Sequence, residues 1–320
     1  MAENVQIIKG ASLWRDAWKR LLRNKLAVFG MVVLVLMVVA VIIGPAIIAW
    51  TTGYTYDLIP KDNDLVKAMP PSLKHLMGTD DAGRDIFARV LQGGRISLMV
   101  GVISTTVSLI IGVSYGATAG YLGGRIDNLM MRIVDVLYSI PYILIVIVLL
   151  AVFGGPSTPS WIQWLSTTIG GAGNQGLSQI FLLFFALGLV SWLTMARVVR
   201  GQILSLKNQE FVLAARATGV STFGIIFRHL VPNAIGPVIV YATLTVPSVM
   251  LTEAFLSYLG LGVQAPFASW GSLASDGIKN IAIFPWQLLF PGLTMALTLF
   301  SLNFLGDGLR DALDPQTRKF

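Results

Sequence analysis

The stretch Gln202–Asn233, QILSLKNQEFVLAARATGVSTFGIIFRHLVPN, is the longest polar interval in the second half of the chain, and apolar runs close it on both sides. Its pattern predicts two short helices separated by a break. Asn208 can cap the first and Gly219 can stop it, because glycine takes the left-handed conformation cheaply. Ser221 can cap the second, on which Phe223, Ile226, Phe227 and Leu230 recur at helical spacing. Pro232 is expected to end it, since proline keeps its predecessor out of helical geometry. Ala214, Ala215 and Ala217 leave one side of the first helix nearly flat. A flat face and an apolar stripe between two apolar runs suit a helix-turn-helix that docks into a partner's groove.

Those runs are too long and too apolar for a soluble core. The chain has 320 residues, 55% of them hydrophobic and 12% charged, with a mean hydropathy of +0.73. In soluble domains about a quarter of residues are charged. There is no cysteine, which excludes disulfides and thiolate metal sites. A net charge of +7 would suit nucleic acid, but the basic residues are distributed as the membrane rule requires, so nucleic acid is set aside.

Residues 1–26 are polar and basic, and Leu13, Trp14, Ala17, Trp18, Leu21 and Leu22 fall at helical spacing. That pattern predicts an amphipathic helix on the inner membrane surface. Ala27–Trp50 is uncharged and long enough to cross a ~30 Å hydrocarbon core. It is too long for a signal peptide and reads as a retained anchor. A polar excursion with Pro60, Pro70 and Pro71 follows, so residues 27–94 make the first span and its outer loop. Within 95–308, five apolar stretches predict the other spans: Ile96–Tyr121, Ile133–Phe153, Gln179–Ala196, Ala234–Thr252 and Pro285–Leu305. Residues 309–320 read as a polar tail. In the second span Gly112, Gly116 and Gly120 recur every four residues, which lets another helix approach closely in lipid. Pro141, Pro237, Pro247, Pro285 and Pro291 punctuate the rest, as neighbours in a bundle allow.

Six spans put both termini on one side. With that side cytoplasmic, it holds sixteen of the 23 Lys and Arg residues and the outer side seven. Most of the seven lie in the long excursion, where charge has less influence. The expected fold is therefore an all-α membrane protein with six spans, both ends in the cytoplasm and Gln202–Asn233 with them.

No G-x-x-x-x-G-K-[ST] loop is present to cradle a phosphate, and no G-x-S-x-G elbow. His75 and His229 lie outside the spans with no second zinc ligand beside them, so neither a catalytic residue nor a resident metal is expected. Asp80, Asp81, Arg84 and Asp85 read as a solvated turn, with Asp80 or Asp81 at the positive end of the next helix. Asp135, near Asp127 and Arg132, marks one end of the third span, and Glu253 and Asp307 end the fifth and sixth. Salt bridges or helix-end contacts are the expected roles. An ion-coupled secondary transporter, the rival class, would hold such groups nearer the midplane. A receptor or scaffold is a third reading.

Ala214, Ala215, Gly219 and Pro232 match the cytoplasmic E-A-A-x3-G-x9-I-x-L-P loop of bacterial ABC-importer permeases at the required spacing. Leu213 stands in place of its Glu, His229 of its Ile and Val231 of its Leu. Three further strings, His75–Leu98, Thr252–Gly277 and Gly306–Pro315, are similar to the C subunits of oligopeptide and dipeptide permeases. Their order relative to the six spans extends the likeness over nearly the whole chain from Leu13. This resemblance implies the type I importer permease fold in a bacterial inner membrane, as half of a pore completed by a homologous B subunit. It implies two cytoplasmic ATPases, which bind ATP and magnesium and grip a coupling loop. Glu210, Ala214, Ala215, Gly219, Phe223, Phe227 and Pro232 are that loop's candidate residues. It also implies an extracytoplasmic binding protein that delivers peptide to the outer loops 51–94 and 258–284. Dipeptides, longer peptides, glutathione, nickel chelates and antimicrobial peptides all stay open as substrates.

Overall fold

The computed structural model describes residues 13–59, 68–153 and 175–313, with the single residues 160 and 164. Pro60, Pro315 and, from the charge count, Lys9, Lys61, Lys67, Arg318 and Lys319 lie outside the described residues. Among the described residues the only β pairing is an isolated bridge, Thr79 to Asp85. The helices in chain order are α1 (Leu13–Arg23), α2 (Lys25–Thr52), α3 (Ile86–Leu122), α4 (Gly124–Ser139), α5 (Tyr142–Phe153), α6 (Gln175–Leu206) and α7 (Glu210–Ala217). A composite α8 follows, made of an α-turn (Thr222–Gly224), a π-helical segment (Ile225–Leu230) and a last α-turn (Val231–Asn233). The chain continues with α9 (Ile235–Tyr258), α10 (Trp270–Lys279) and α11 (Trp286–Leu313).

Five helices, α2, α3, α6, α9 and α11, are long and apolar enough to cross a membrane. The expected third span is instead a bent pair, α4 and α5, turned by 87° at its break. Ile140, the residue before Pro141, is extended at φ −88°, ψ 129°, as the proline ring demands. Pro45 lies inside α2 and removes the donor to the Val41 carbonyl. Arg95 of α3 makes good that loss: its Nε donates to Val41 O at 2.6 Å and its Nη2 to Ile42 O. A cation inside a span is thus held by backbone that a proline left open.

The closest packing joins α3 to α6. A Cβ at Gly112 would meet the Met195 side chain at 2.6 Å, and one at Gly120 the Arg200 carbonyl oxygen at 3.0 Å. At Gly116 it would overlap the Ala196 carbonyl oxygen. Gly188 answers from α6, where a Cβ would lie 2.8 Å from the Ser104 carbonyl oxygen, and Ser104 Oγ donates to Phe184 O at 2.7 Å. The backbones therefore run nearly in contact, as small residues permit in lipid.

Several sequence expectations change. Helix α3 starts at Ile86 and not at Ile96, so the division between 94 and 95 falls inside a helix. Asp85 caps it, its side chain accepting from Ala88 N at 2.8 Å, and the buried Arg89 pairs with Asp80. Polar residues so paired can sit in the first turns of a span, which a reading by hydropathy misses. The turn before it is wired and not merely solvated. Asp80 accepts from the backbone of Ala82 and Arg84 and from Arg84 Nε at 2.8 Å. His75 Nδ1 lies 2.9 Å from Asp85 Oδ2, both side chains buried. Asp81 accepts from Gln287 Nε2 at 2.9 Å, tying the excursion to α11.

The apolar stripe of α1 does more than face a bilayer. Ala17 and Leu21 pack against Leu305, Leu309 and Ala312, which explains why α11 runs past the expected boundary at 308. Glu253 lies inside α9 and is 1% exposed, not in an interfacial salt bridge. Its Oε1 accepts from the hydroxyls of Ser257 and Ser269, each at 2.7 Å, joining α9 to the cap of α10. Asp307 is exposed and lies within α11.

Candidate functional site

The polar turn between α6 and α9 is built as two helices around an apolar seam. Lys207 first reaches back, its Nζ donating to Gly120 O at 3.1 Å at the end of α3. Gln209, not Asn208, takes the cap position of α7, in an extended conformation without a side-chain bond. Asn208 lies in the turn that closes α6, where Gln209 N donates to Leu206 O at 3.0 Å. Glu210 then sits exposed in the first turn of α7, at the positive end of its dipole.

Helix α7 ends in a Schellman motif. Gly219 has φ +78°, Gly219 N donates to Arg216 O at 3.0 Å, and Val220 N donates to Ala215 O at 3.1 Å. The Thr218 hydroxyl adds a bond to Ala215 O at 3.0 Å. Ser221 caps α8 through Gly224 N at 3.2 Å. The chain thus reverses over residues 218 to 221 with its free backbone groups satisfied, and the angle between α7 and α8 is set locally.

Pro232 does not end a helix. The π-helical segment before it adds a residue to the turn, moving the carbonyl that the ring would strike, and the chain stays helical through Val231–Asn233. Val231 N bonds back to Ile226 O, and Asn233 Nδ2 donates to His229 O at 2.6 Å.

The seam separates two kinds of residue. Val212, Ala215, Ile225, Ile226 and Leu230 are buried with Ala117 of α3 and Val199 and Ile203 of α6. Ala215 is therefore part of the chain's own core, whereas Ala214 and Ala217 are exposed. Leu213 and Phe223 are 50% and 71% exposed, and Phe227, half-buried, packs against Phe223 with ring centroids 4.6 Å apart and the rings tilted by 40°. Arg216 ties the exposed helix to the end of α3, its guanidinium 5.1 Å from the Tyr121 ring centroid and its Nε 3.3 Å from the hydroxyl. The turn, rooted in α3 and α6, exposes Leu213, Ala214, Ala217 and Phe223 among polar neighbours such as Glu210, Arg216 and Arg228.

Residues 86–319 match the family described as binding-protein-dependent transport system inner membrane components. The chain belongs to this family. Residues 12–71 match the N-terminal transmembrane domain of oligopeptide transport permease C. The chain is 46% identical over 314 residues to the oligopeptide transport system permease protein OppC of Escherichia coli K12, covering 97% of this chain and 94% of that one. It is 45% identical over 311 residues to the OppC protein of Bacillus subtilis, covering 97% and 92%. The dipeptide transport system permease protein DppC of the same organism is 44% identical over 309 residues, covering 96% and 87%. Among solved structures, an inward-facing MetNI methionine ABC transporter chain superposes with a TM-score of 0.50 at 19% identity, covering 72% of this chain and 98% of that chain. That likeness is one of fold, the type I importer permease fold.

In this permease the ionisable residues of the third span find partners that sequence reading missed. Asp127 pairs with Arg200 and Asp135 with Arg197, both on α6, and neither with Arg132. No local signal pointed there, because each pair spans more than sixty residues of chain.

Proposed function

We propose that this permease forms one half of the pore of an ATP-driven importer of di- or oligopeptides. The observation that carries the reading is the exposed apolar face of Leu213, Ala214, Ala217 and Phe223, fixed by the Schellman ending and the Ser221 cap. An exposed apolar patch on a rigid helix pair is suited to a partner's groove. On this reading the groove belongs to one of two cytoplasmic ATPases, which bind ATP and magnesium themselves. A homologous B-subunit permease completes the pore, an extracytoplasmic binding protein delivers the substrate, and both termini lie in the cytoplasm. The names of the relatives favour peptide; glutathione, nickel chelates or other peptide-like solutes are the alternatives.

Closure of the ATPase pair would move α7 and α8 as a unit. Lys207 and Arg216 would carry that motion to the end of α3, and the Asp127–Arg200 pair would carry it to the broken span. The test is uptake of a labelled tripeptide into proteoliposomes holding the assembled importer. Uptake should require ATP and the ATPase subunits. Uptake driven by an ion gradient with those subunits left out would establish a secondary transporter instead.

A further inference from the structure

The bent span lies across a gap between α6 and α9, with one tyrosine on each side of its break. Before the break, the Tyr138 hydroxyl bonds the Thr194 hydroxyl of α6. After it, Tyr142 OH lies 3.1 Å from Thr252 Oγ1 of α9. The gap they frame is a cavity of about 680 Å³, open at its side. Eight of its fifteen lining residues carry a hydroxyl, and none carries a carboxylate, amine, guanidinium or imidazole. The nearest ion pair, Asp135 with Arg197, stands beside it with the guanidinium 4.0 Å over the Tyr138 ring.

This wall differs from the surface that lipid would cover. Between Gly30 and Ala49 of α2 the exposed residues are all aliphatic, Val35, Leu36, Val39 and Ile42 among them. Around the cavity the exposed residues include Tyr138 and Tyr142, which flank the break of the bent span, and Ser248 in the middle of α9. Polar groups lining a gap between spans are suited to a water-filled cavity and not to lipid.

We infer that this cavity is a transit site for peptide, recognised through its neutral main-chain amides and indifferent to side-chain charge. The inference rests on the peptide-importer reading above. Ser191, Ser248 and Thr252 donate their protons to carbonyls of their own helices, at 2.9, 3.3 and 2.9 Å, which leaves their oxygens to accept the N–H of a passing amide. A charged wall would hold peptides of opposite sign and repel those of like sign. A neutral wall binds each weakly enough to release it, which transit requires.

The chain has no cysteine, so a charge can be placed on the wall after assembly. Ser248→Cys in a cysteine-free importer, with its binding protein saturated, is labelled with a sulfonatoethyl or a trimethylammonioethyl methanethiosulfonate. Uptake of trialanine, alanyl-glutamyl-alanine and alanyl-lysyl-alanine is then compared. The ratio of lysyl to glutamyl peptide should rise about fivefold or more with the negative label and fall as much with the positive one. Ser191→Cys, on the α6 wall, supplies a second position, and a shift at either supports the site. Leu251→Cys, exposed on α9 but outside the cavity, should leave the ratio unchanged. A ratio unmoved at both serines, or equal loss of all three peptides at both, overturns the inference. If the unaltered importer takes up none of the three, the peptide reading itself fails.

Discussion

Arg200 of α6 grips Asp127 of α4 with both prongs of its guanidinium, Nε to Oδ1 at 2.5 Å and Nη2 to Oδ2 at 2.6 Å. Asp127 is buried, and the two prongs match the two carboxylate oxygens. The neighbouring pair of Arg197 and Asp135, at 2.7 Å, is exposed on both sides and worth much less. One strong rung and one weak rung thus join the first arm of the broken span to α6.

Asp127→Asn leaves the Arg200 guanidinium half-satisfied, at a cost of about 2 kcal/mol. Thermal unfolding of the purified complex should show a clear loss of stability, and stimulated ATP hydrolysis should fall. Asp135→Asn should stay within about 0.5 kcal/mol of the parent. Exchanging the pair, Asp127→Arg with Arg200→Asp, should recover part of the loss, and no recovery would argue against the rung.

Arg95 and Pro45 should be coupled, because the arginine serves a carbonyl that the proline left open. Arg95→Leu should destabilise the parent by about 2 kcal/mol. In a Pro45→Ala background, where the Val41 carbonyl regains its helical donor, the same change should cost about 1 kcal/mol less. A double-mutant cycle by thermal unfolding measures the difference, and additivity would refute the coupling.

Gly116 admits no side chain, since a Cβ would overlap the Ala196 carbonyl oxygen across the interface. Gly116→Val should abolish accumulation of the assembled permease. Gly201 on the facing helix has open space around it, so Gly201→Ala should be neutral or gain up to about 1 kcal/mol from helix propensity. Membrane protein level and thermal stability distinguish the two.

The charge distribution predicts the orientation, and surface labelling tests it. Ser72→Cys, on the excursion, should react with an impermeant maleimide applied to intact cells, and Ser205→Cys only after permeabilisation; both positions are exposed. The reverse pattern would invert the topology.

What the sequence made legible was local. Gly219 at positive φ, the Ser221 cap and the close approach at Gly112, Gly116 and Gly120 follow from residue chemistry within a turn or two. Pro232 misled because the rule that proline ends helices assumes an α-turn before it, and here the turn is a π-turn. The start of α3 was misplaced because Arg89 is charged in sequence yet paired in space. Ala215 and Ala214 look alike in sequence, and only the packing of α7 on α3 and α6 separates the buried one from the exposed one. The partners of Asp127 and Asp135, and Ser269 among those of Glu253, lie outside their own helices, where no spacing rule reaches; Ser257, four residues on from Glu253 in α9, is the one a helical spacing could have suggested.

That distinction sharpens the central claim, that the outer face of α7 and α8 is what the ATPases grip. Ala215→Trp should fail inside the permease's own core and lower its level. Leu213→Asp with Phe223→Asp places two charges on the outer face, should leave level and pairing with the second permease near normal, and should remove the docking surface. The deciding measurement is peptide uptake and binding-protein-stimulated ATP hydrolysis of the reconstituted complex carrying that double variant, beside a quantitative pull-down of the ATPases. The account predicts uptake below about a tenth of the parent rate, loss of stimulation and weakened ATPase capture, the cost of burying two unpaired charges. Transport at the parent rate with the ATPases fully bound would contradict it.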